Sequence, residues 1–414
     1  MFQMSSQKLE VSSEHERLLR DLAIDETGPG TIVQDFAALL AYLKGRDLRA
    51  TGRHQLPLRA LPEINARLVR PLQLGLTRPV QKSYPHINGL YLLVRASGLV
   101  AIGGTPKKSV LVVGDAVYRV WESLNPTERY CTLLETWLLR GHPEIIGGDR
   151  SPAFLVPETF SYWNGFFHRI PDEGMQVAGD DPADAHIRYL LGWHNLGLLE
   201  LFGLVSVRHG SPEPGEGWRA ERVWRTPLGD ALLAALYVGF FGDFGNILQL
   251  GSEEYVPFGV LQPVLQPYFP AWQKCLAVPT WTFRDGVYVF KASLRGIWRR
   301  IAVPAGASLN GLSSAILNAY EFDHDHLHEF SYENRFGVRE HVNHPFMDEG
   351  PWTNEVRVGD VPLGIGQTMT YVFDFGDWWE FDVTLERVDP PDASLEGPVV
   401  LETHGEAPDQ YRSW

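Results

Sequence analysis

Apolar residues at Ile32, Phe36, Leu39, Leu40 and Leu43 recur at helical spacing, with Gly45 just beyond, and predict a helix over about 31–45. Residues 1–30 before it are polar and end in the breaker cluster Thr27-Gly28-Pro29-Gly30, which reads as a lead-in. Further on, one pattern occurs twice. Asn88-Gly89-Leu90-Tyr91-Leu92-Leu93-Val94-Arg95 closes at Gly98, then come Leu99-Val100, a tip at Gly103-Gly104-Thr105-Pro106, and Leu111-Val112-Val113 before Gly114-Asp115-Ala116. The second copy runs Leu196-Gly197-Leu198-Leu199-Glu200-Leu201-Phe202, closes at Gly203, and has a longer polar tip, Gly210 to Gly215. It re-enters a helix at Gly229-Asp230-Ala231. Glycine just past a helix end supplies the left-handed residue that closes it. Between the copies, Tyr130, Leu133, Leu134, Trp137 and Leu138 mark a helix that Thr127 is expected to cap. Residues 141–160, 171–183 and 240–279 are rich in Gly, Pro, Asp or aromatic residues and read as connections.

From Trp281 the period changes from helix to strand. Tyr288–Leu294 alternates, Ile297–Val303 is stopped by Pro304, and Ser308 caps a helix striped by Leu309, Leu312, Ile316 and Tyr320. A strand is expected over Asp323–Phe330, and a hairpin from Thr370–Phe375 and Trp379–Glu386 around Gly376-Asp377. The predicted class is α+β and multidomain. It comprises a lead-in at 1–30, a basic helical part at 31–140, a second helical unit at 141–278, and a small α+β domain with a mixed sheet at 279–414.

The duplicated helix–strand–tip–strand–helix order resembles the winged helix, which sets one helix in the DNA major groove and often a basic wing on the backbone. The resemblance implies DNA contact chiefly by the first copy. Its helix is very apolar, and the second tip carries Glu213 and Glu216, so a role in protein contacts stands beside that reading.

Composition adds limits. With 44% hydrophobic and 21% charged residues the chain is ordinary globular material, and 13 Trp supply large rings for its cores. Two Cys, Cys131 and Cys275, exclude a disulfide scaffold and a cysteine-built zinc site. No apolar run reaches membrane-spanning length, and the first residues lack a signal-peptide core, so a cytoplasmic protein without membrane partners is expected.

Charge changes the picture most. The net charge is −15, which argues against a polyanion partner. Yet between Lys44 and Lys108 stand twelve basic residues against two acids, Asp47 and Glu63, a local +10. Residues 301–414 carry 21 acids and 5 bases. The basic segment either meets nucleic acid or another acidic partner, or docks on acidic protein surface of its own. Lys82, Arg95, Lys107 and Lys108 are the expected nucleic-acid contacts.

The C-terminal motifs carry a family resemblance. Ile297-Trp298-Arg299-Arg300-Ile301, His326-Leu327-His328-Glu329-Phe330 after a helix, and Tyr371-Val372-Phe373-Asp374-Phe375-Gly376-Asp377-Trp378-Trp379-Glu380 resemble the plasmid pRiA4b ORF-3-like domain family over about 285–411. The resemblance implies a small α+β domain in a mobile-element context and no established activity. Phe381 stands where the family usually has His after the Trp-Glu pair, Ser313 stands in place of its helix His, and its tail cysteines are missing.

Alternation along a strand would turn His324, His326 and His328 to one face. With Asp374 and Glu380 nearby, His326 and His328 would then suit a divalent metal such as Zn, and a metal-dependent enzyme or ligand binder is the alternative reading. The plainer reading has these histidines hydrogen-bonded to Asp374 or Glu380 as structural groups, with no cofactor. No serine-hydrolase elbow, phosphate loop or dinucleotide fingerprint is present, and Cys131 sits in an apolar stripe. The preferred expectation is a binding or regulatory protein rather than an enzyme. A protein-protein scaffold is a further alternative, and oligomeric state is left open.

Overall fold

The computed structural model describes residues 10–105, 108–148, 156–177, 187, 191–241 and 256–411. The chain divides into two compact units, Met1–Ala101 with Val112–Val278, and Ile102–Leu111 with Pro279–Trp414. No helix among the described residues is long and apolar enough to cross a membrane.

The first unit is mostly helical. Among the described residues its helices include α1 (Ser13–Asp21), α2 (Ile32–Leu43), α3 (Leu61–Asn65), α4 (Pro85–Ala96), α5 (Asp115–Ser123), α6 (Pro126–Arg140), α7 (Val156–Arg169), α8 (Trp193–Leu201) and α9 (Pro227–Phe241). α2 buries the predicted stripe of Ile32, Phe36, Leu39, Leu40 and Leu43. α6 is capped by Asn125, not Thr127. The Asn125 side chain accepts from Glu128 N at 2.9 Å, and Glu128 Oε2 accepts from Asn125 N at 2.9 Å. That reciprocal box fits Pro126 at the first helical position, where no backbone N–H is needed.

The order helix–strand–strand–helix occurs twice. α4 leads to β2 (Val100–Thr105), β3 (Lys108–Val113) and α5; α8 leads to β5 (Val205–His209), β6 (Ala220–Arg225) and α9. The short strand β4 (Met175–Gln176) joins β6 and β5 in a three-stranded sheet, and β1 is the short strand Leu48–Arg49. The closing glycines Gly98 and Gly203 have φ of 73° and 76°, the left-handed conformation that ends a helix.

α4 and α8 pack against each other. Their glycines permit the approach. A Cβ at Gly89 would lie 2.7 Å from Leu198 Cγ, and one at Gly197 would lie 3.0 Å from His86 Cδ2. All twelve residues of α4 are buried. A helix covered on every side cannot enter a DNA groove, so the expected groove reading by the first copy's helix is ruled out. Nearby, Trp137 of α6 lies against Trp163 and stacks on Phe202, and its Nε1 donates to Asn195 Oδ1 at 2.8 Å. The buried indole N–H thus keeps a partner.

The second unit is built on a seven-stranded sheet. Its strands are β7 (Val287–Leu294), β8 (Ile297–Pro304), β9 (His328–Glu333), β10 (Arg339–Asn343), β11 (Thr368–Phe373), β12 (Trp379–Asp389) and β13 (Val399–His404). They lie in the order β10-β9-β11-β12-β7-β8-β13. Every pairing of these strands is antiparallel, where a mixed sheet was expected. The difference follows from the connections, since β7–β8 and β11–β12 are direct hairpins. Gln262–Leu265 forms α10 in the first unit, and Leu309–Ala319 forms α11 in the second. α11 starts at Ser308, whose hydroxyl accepts from Gly311 N at 3.2 Å, and it buries Leu309, Leu312 and Ile316 in one core with Tyr371 and Phe381.

Candidate functional site

Most cations of the basic segment are open to solvent. Lys44, Arg46, Arg49, Arg53, Arg59, Arg67, Arg70, Arg78, Lys82 and Lys108 are all exposed. Some have neighbours of their own. Arg46 lies 4.0 Å from Glu63, Arg46 and Arg67 both stand over the Tyr42 ring, and Lys44 sits 3.5 Å from the Tyr118 ring centre. Among the described residues no carboxylate pairs with Arg49, Arg53, Arg59, Arg78 or Lys82.

Of the four expected contacts, Lys82 is exposed in the 3-10 turn Gln81–Ser83, and Lys108 is exposed in the Ile102–Leu111 segment of the second unit. Lys107 lies outside the described residues. Arg95 is corrected. It is 1% exposed in the last turn of α4, and its Nη1 donates to Tyr91 Oη at 3.2 Å. Its guanidinium is a core group, because packing covers every face of α4.

The expected metal set of His326, His328, Asp374 and Glu380 does not converge. β9 begins only at His328, so His324 and His326 precede the strand and no shared face forms. His324 Nε2 lies 3.0 Å from Asn318 Oδ1. His326 Nε2 lies 3.4 Å from Asp374 Oδ2 and 3.6 Å from Asp325 Oδ2. Glu380 is exposed and accepts from Trp378 Nε1 at 3.0 Å. His328 is buried, with Nε2 3.1 Å from Thr353 Oγ1 and Nδ1 3.4 Å from Ser313 Oγ. Ser313 Oγ also lies 2.7 Å from Tyr371 Oη. The Ser313 hydroxyl therefore belongs to a neutral hydrogen-bond network.

Burial, with the neighbouring charges of His344 and His324, lowers the His328 pKa to about 3. Unfolded, a histidine titrates near about 6.5. Between these values the unfolded chain binds a proton that the folded chain does not. Stability is therefore full above about 6.5 and falls as pH drops, by up to about 1.4 kcal/mol per pH unit. Urea unfolding of the parent and of His328→Gln, stepped downward from neutral pH, is expected to show the parent's advantage shrinking as pH falls. A constant advantage contradicts a buried, neutral His328.

A different cluster forms in the first unit. His86 at the start of α4, Glu200 near the end of α8 and His209 at the end of β5 bring one donor atom each within 4.8 Å of one another. His86 Nε2 lies 2.9 Å from Glu200 Oε2, and His209 Nε2 lies 2.9 Å from both Glu200 oxygens. The His86, Glu200 and His209 side chains are 2%, 6% and 26% exposed, so the cluster reaches solvent mainly past His209. Trp218 meets both imidazoles, at 5.9 and 5.3 Å between ring centres. Burial pushes the Glu200 carboxyl up, but hydrogen bonds from His209 and His86, and their charges, bring it down to about 2. Sequence reasoning missed this group, since its members stand 114 and 9 residues apart on three elements and follow no ligand spacing. Its one local trace is Gly197, which lets His86 approach α8.

Residues 287–410 match the family described as Plasmid pRiA4b ORF-3-like protein. Over 117 residues, 27% of this chain, the sequence is 29% identical to the uncharacterized protein y4hQ of Sinorhizobium fredii, and the match spans 57% of that relative's length. Among solved structures, a protein of unknown function from Methanosarcina mazei Go1 shares 29% identity over 31% of this chain and 74% of its own, with a TM-score of 0.28. The family match falls on the C-terminal region whose motifs suggested it.

Proposed function

We propose that this protein binds nucleic acid, chiefly through the phosphate backbone, using the exposed cations of residues 44–82. The observation that supports this is the solvent exposure of Arg49, Arg53, Arg59, Arg78 and Lys82, with no carboxylate partner among the described residues. Cations left in water on an anionic chain retain their charge for an outside polyanion. Guanidinium groups fork onto phosphate oxygens, and displaced counterions drive the association.

Binding of this kind differs from that of a winged-helix reader in one respect. With α4 buried against α8, that helix is not free to read bases, so binding is expected to follow charge and duplex shape rather than sequence. The plasmid name of the C-terminal family is in keeping with such a partner, and the free thiols of Cys131 and Cys275 are in keeping with a reducing cytoplasm.

Fluorescence anisotropy of a labelled duplex tests the proposal. The intact chain is expected to bind saturably at low ionic strength, to show little preference between unrelated sequences, and to lose affinity steeply as salt is added. Absence of binding at low salt overturns it.

A further inference from the structure

We propose that His86, Glu200 and His209 form a binding site for a divalent transition-metal ion of the zinc class, held by the Nε2 atoms of both imidazoles and one Glu200 carboxylate oxygen. The site is independent of the nucleic-acid reading.

The donor chemistry is the first support. Two neutral imidazoles and a carboxylate form the three-ligand set that zinc accepts when a fourth position is left open. Both rings turn the same nitrogen, Nε2, toward the same carboxylate, though they come from a helix start and a strand end. Around a tetrahedral ion with ligand bonds of about 2.0–2.1 Å, neighbouring donors stand about 3.3 Å apart. The present nitrogen–oxygen separations are 2.9 Å and the three donor atoms lie within 4.8 Å of one another, so modest side-chain shifts bring them to that spacing. On binding, each Nε2 gives its lone pair to the ion and the ring carries its proton on Nδ1.

The surroundings agree. The cluster is shielded except past His209, and this places the open position toward solvent. His86 Nδ1 and Trp218 Nε1, both buried beside the cluster, have no hydrogen-bond partner among the described residues. Both are N–H donors rather than ligands, and a metal-bound His86 calls for an acceptor such as a water at Nδ1. One neighbour opposes a cation: Arg70 Nη1 lies 3.7 Å from Glu200 Oε1. Its side chain is 68% exposed, so it can swing into water when an ion takes its place.

The test uses the full chain without a histidine tag, stripped with chelator and titrated with cobalt(II). The expected result is a visible ligand-field band that saturates at one equivalent, is displaced by zinc, and comes with a rise in melting temperature. His209→Ala is expected to remove the one-equivalent phase. The loss should exceed the roughly 10–100-fold that follows removal of an outer-sphere partner. His326→Ala is expected to keep the phase, which separates the site from surface histidines. His86→Gln, whose amide can still donate to Glu200, provides a second ligand loss should His209→Ala fail to fold. A folded parent that takes up neither cobalt nor zinc at one equivalent overturns the proposal. So does uptake that survives both ligand substitutions.

Discussion

Reversing Arg49, Arg53, Arg59, Arg78 and Lys82 to glutamate together is expected to abolish duplex binding and leave the folded chain intact. The five reversals take the local charge of residues 44–108 from +10 to zero. The slope of log K against log salt falls by about 0.9 for every phosphate that is no longer neutralised, so silencing all five cations takes about 4.5 from it. The drop in affinity is therefore largest at low salt. Stability is expected to change little, because all five side chains are exposed and substitutions at such positions usually stay within about 0.5 kcal/mol each. Circular dichroism and melting check the fold, and anisotropy across a salt series checks the binding. A variant that binds as tightly as the parent shows that these cations are not the docking surface.

The second large effect is expected at Arg299, within the Ile-Trp-Arg-Arg-Ile motif that carries much of the family resemblance. The residue is 4% exposed, and its guanidinium stands over the Tyr320 ring at 4.5 Å. Nε donates to Ala319 O at 2.7 Å, and Nη1 donates to Trp298 O, His404 O and Gly405 O at 3.1, 3.1 and 3.2 Å. One planar fork thus ties the end of α11 to β8 and β13. Arg299→Met keeps most of the stem but leaves these carbonyls without their donor. The expected cost is about 3 kcal/mol in the second unit, since each buried acceptor left unmatched costs about 1–3 kcal/mol and some find water. Arg299→Lys is expected to recover little, because one ammonium cannot reach carbonyls on three elements at once. Urea-dependent hydrogen exchange of the β8 and β13 peptides reads that unit directly. Parent-like exchange in Arg299→Met contradicts a structural tie, and its neighbour Arg300, which pairs with Glu386 at 2.6 Å on the sheet surface, becomes the motif residue to test.

How far the chain was legible follows from how local each signal is. α2, the Ser308 cap of α11 and the β11–β12 hairpin rest on spacings within a dozen residues, and the structure has them where periodicity puts them. The Asn125-Pro126-Thr127-Glu128 stretch offers two cap residues. The Pro126 ring and the Glu128 return bond decide for Asn125, and the apolar stripe alone does not contain that choice.

Arg95 shows a second limit. In a helix covered all round, the side of a lone arginine is set by neighbours far along the chain, so an apolar pattern cannot say whether it points to water. His324 and His326 show a third. Alternation implies a common face only once a strand exists, and the strand starts two residues after His326. The His86, Glu200 and His209 cluster lay beyond any local reading, because the α4–α8 crossing assembles it from both halves of the duplicated pattern.

The proposed landing surface for a polyanion is the set of arginines ahead of α4. Arginine-selective dicarbonyl modification of the intact chain, read peptide by peptide with and without duplex DNA, addresses it most directly. Protection of Arg49, Arg53, Arg59 and Arg78 by DNA, relieved by salt and absent at the exposed Arg295 of the C-terminal sheet, is the predicted result. Unchanged labelling of those four arginines under conditions where DNA is bound would contradict the account.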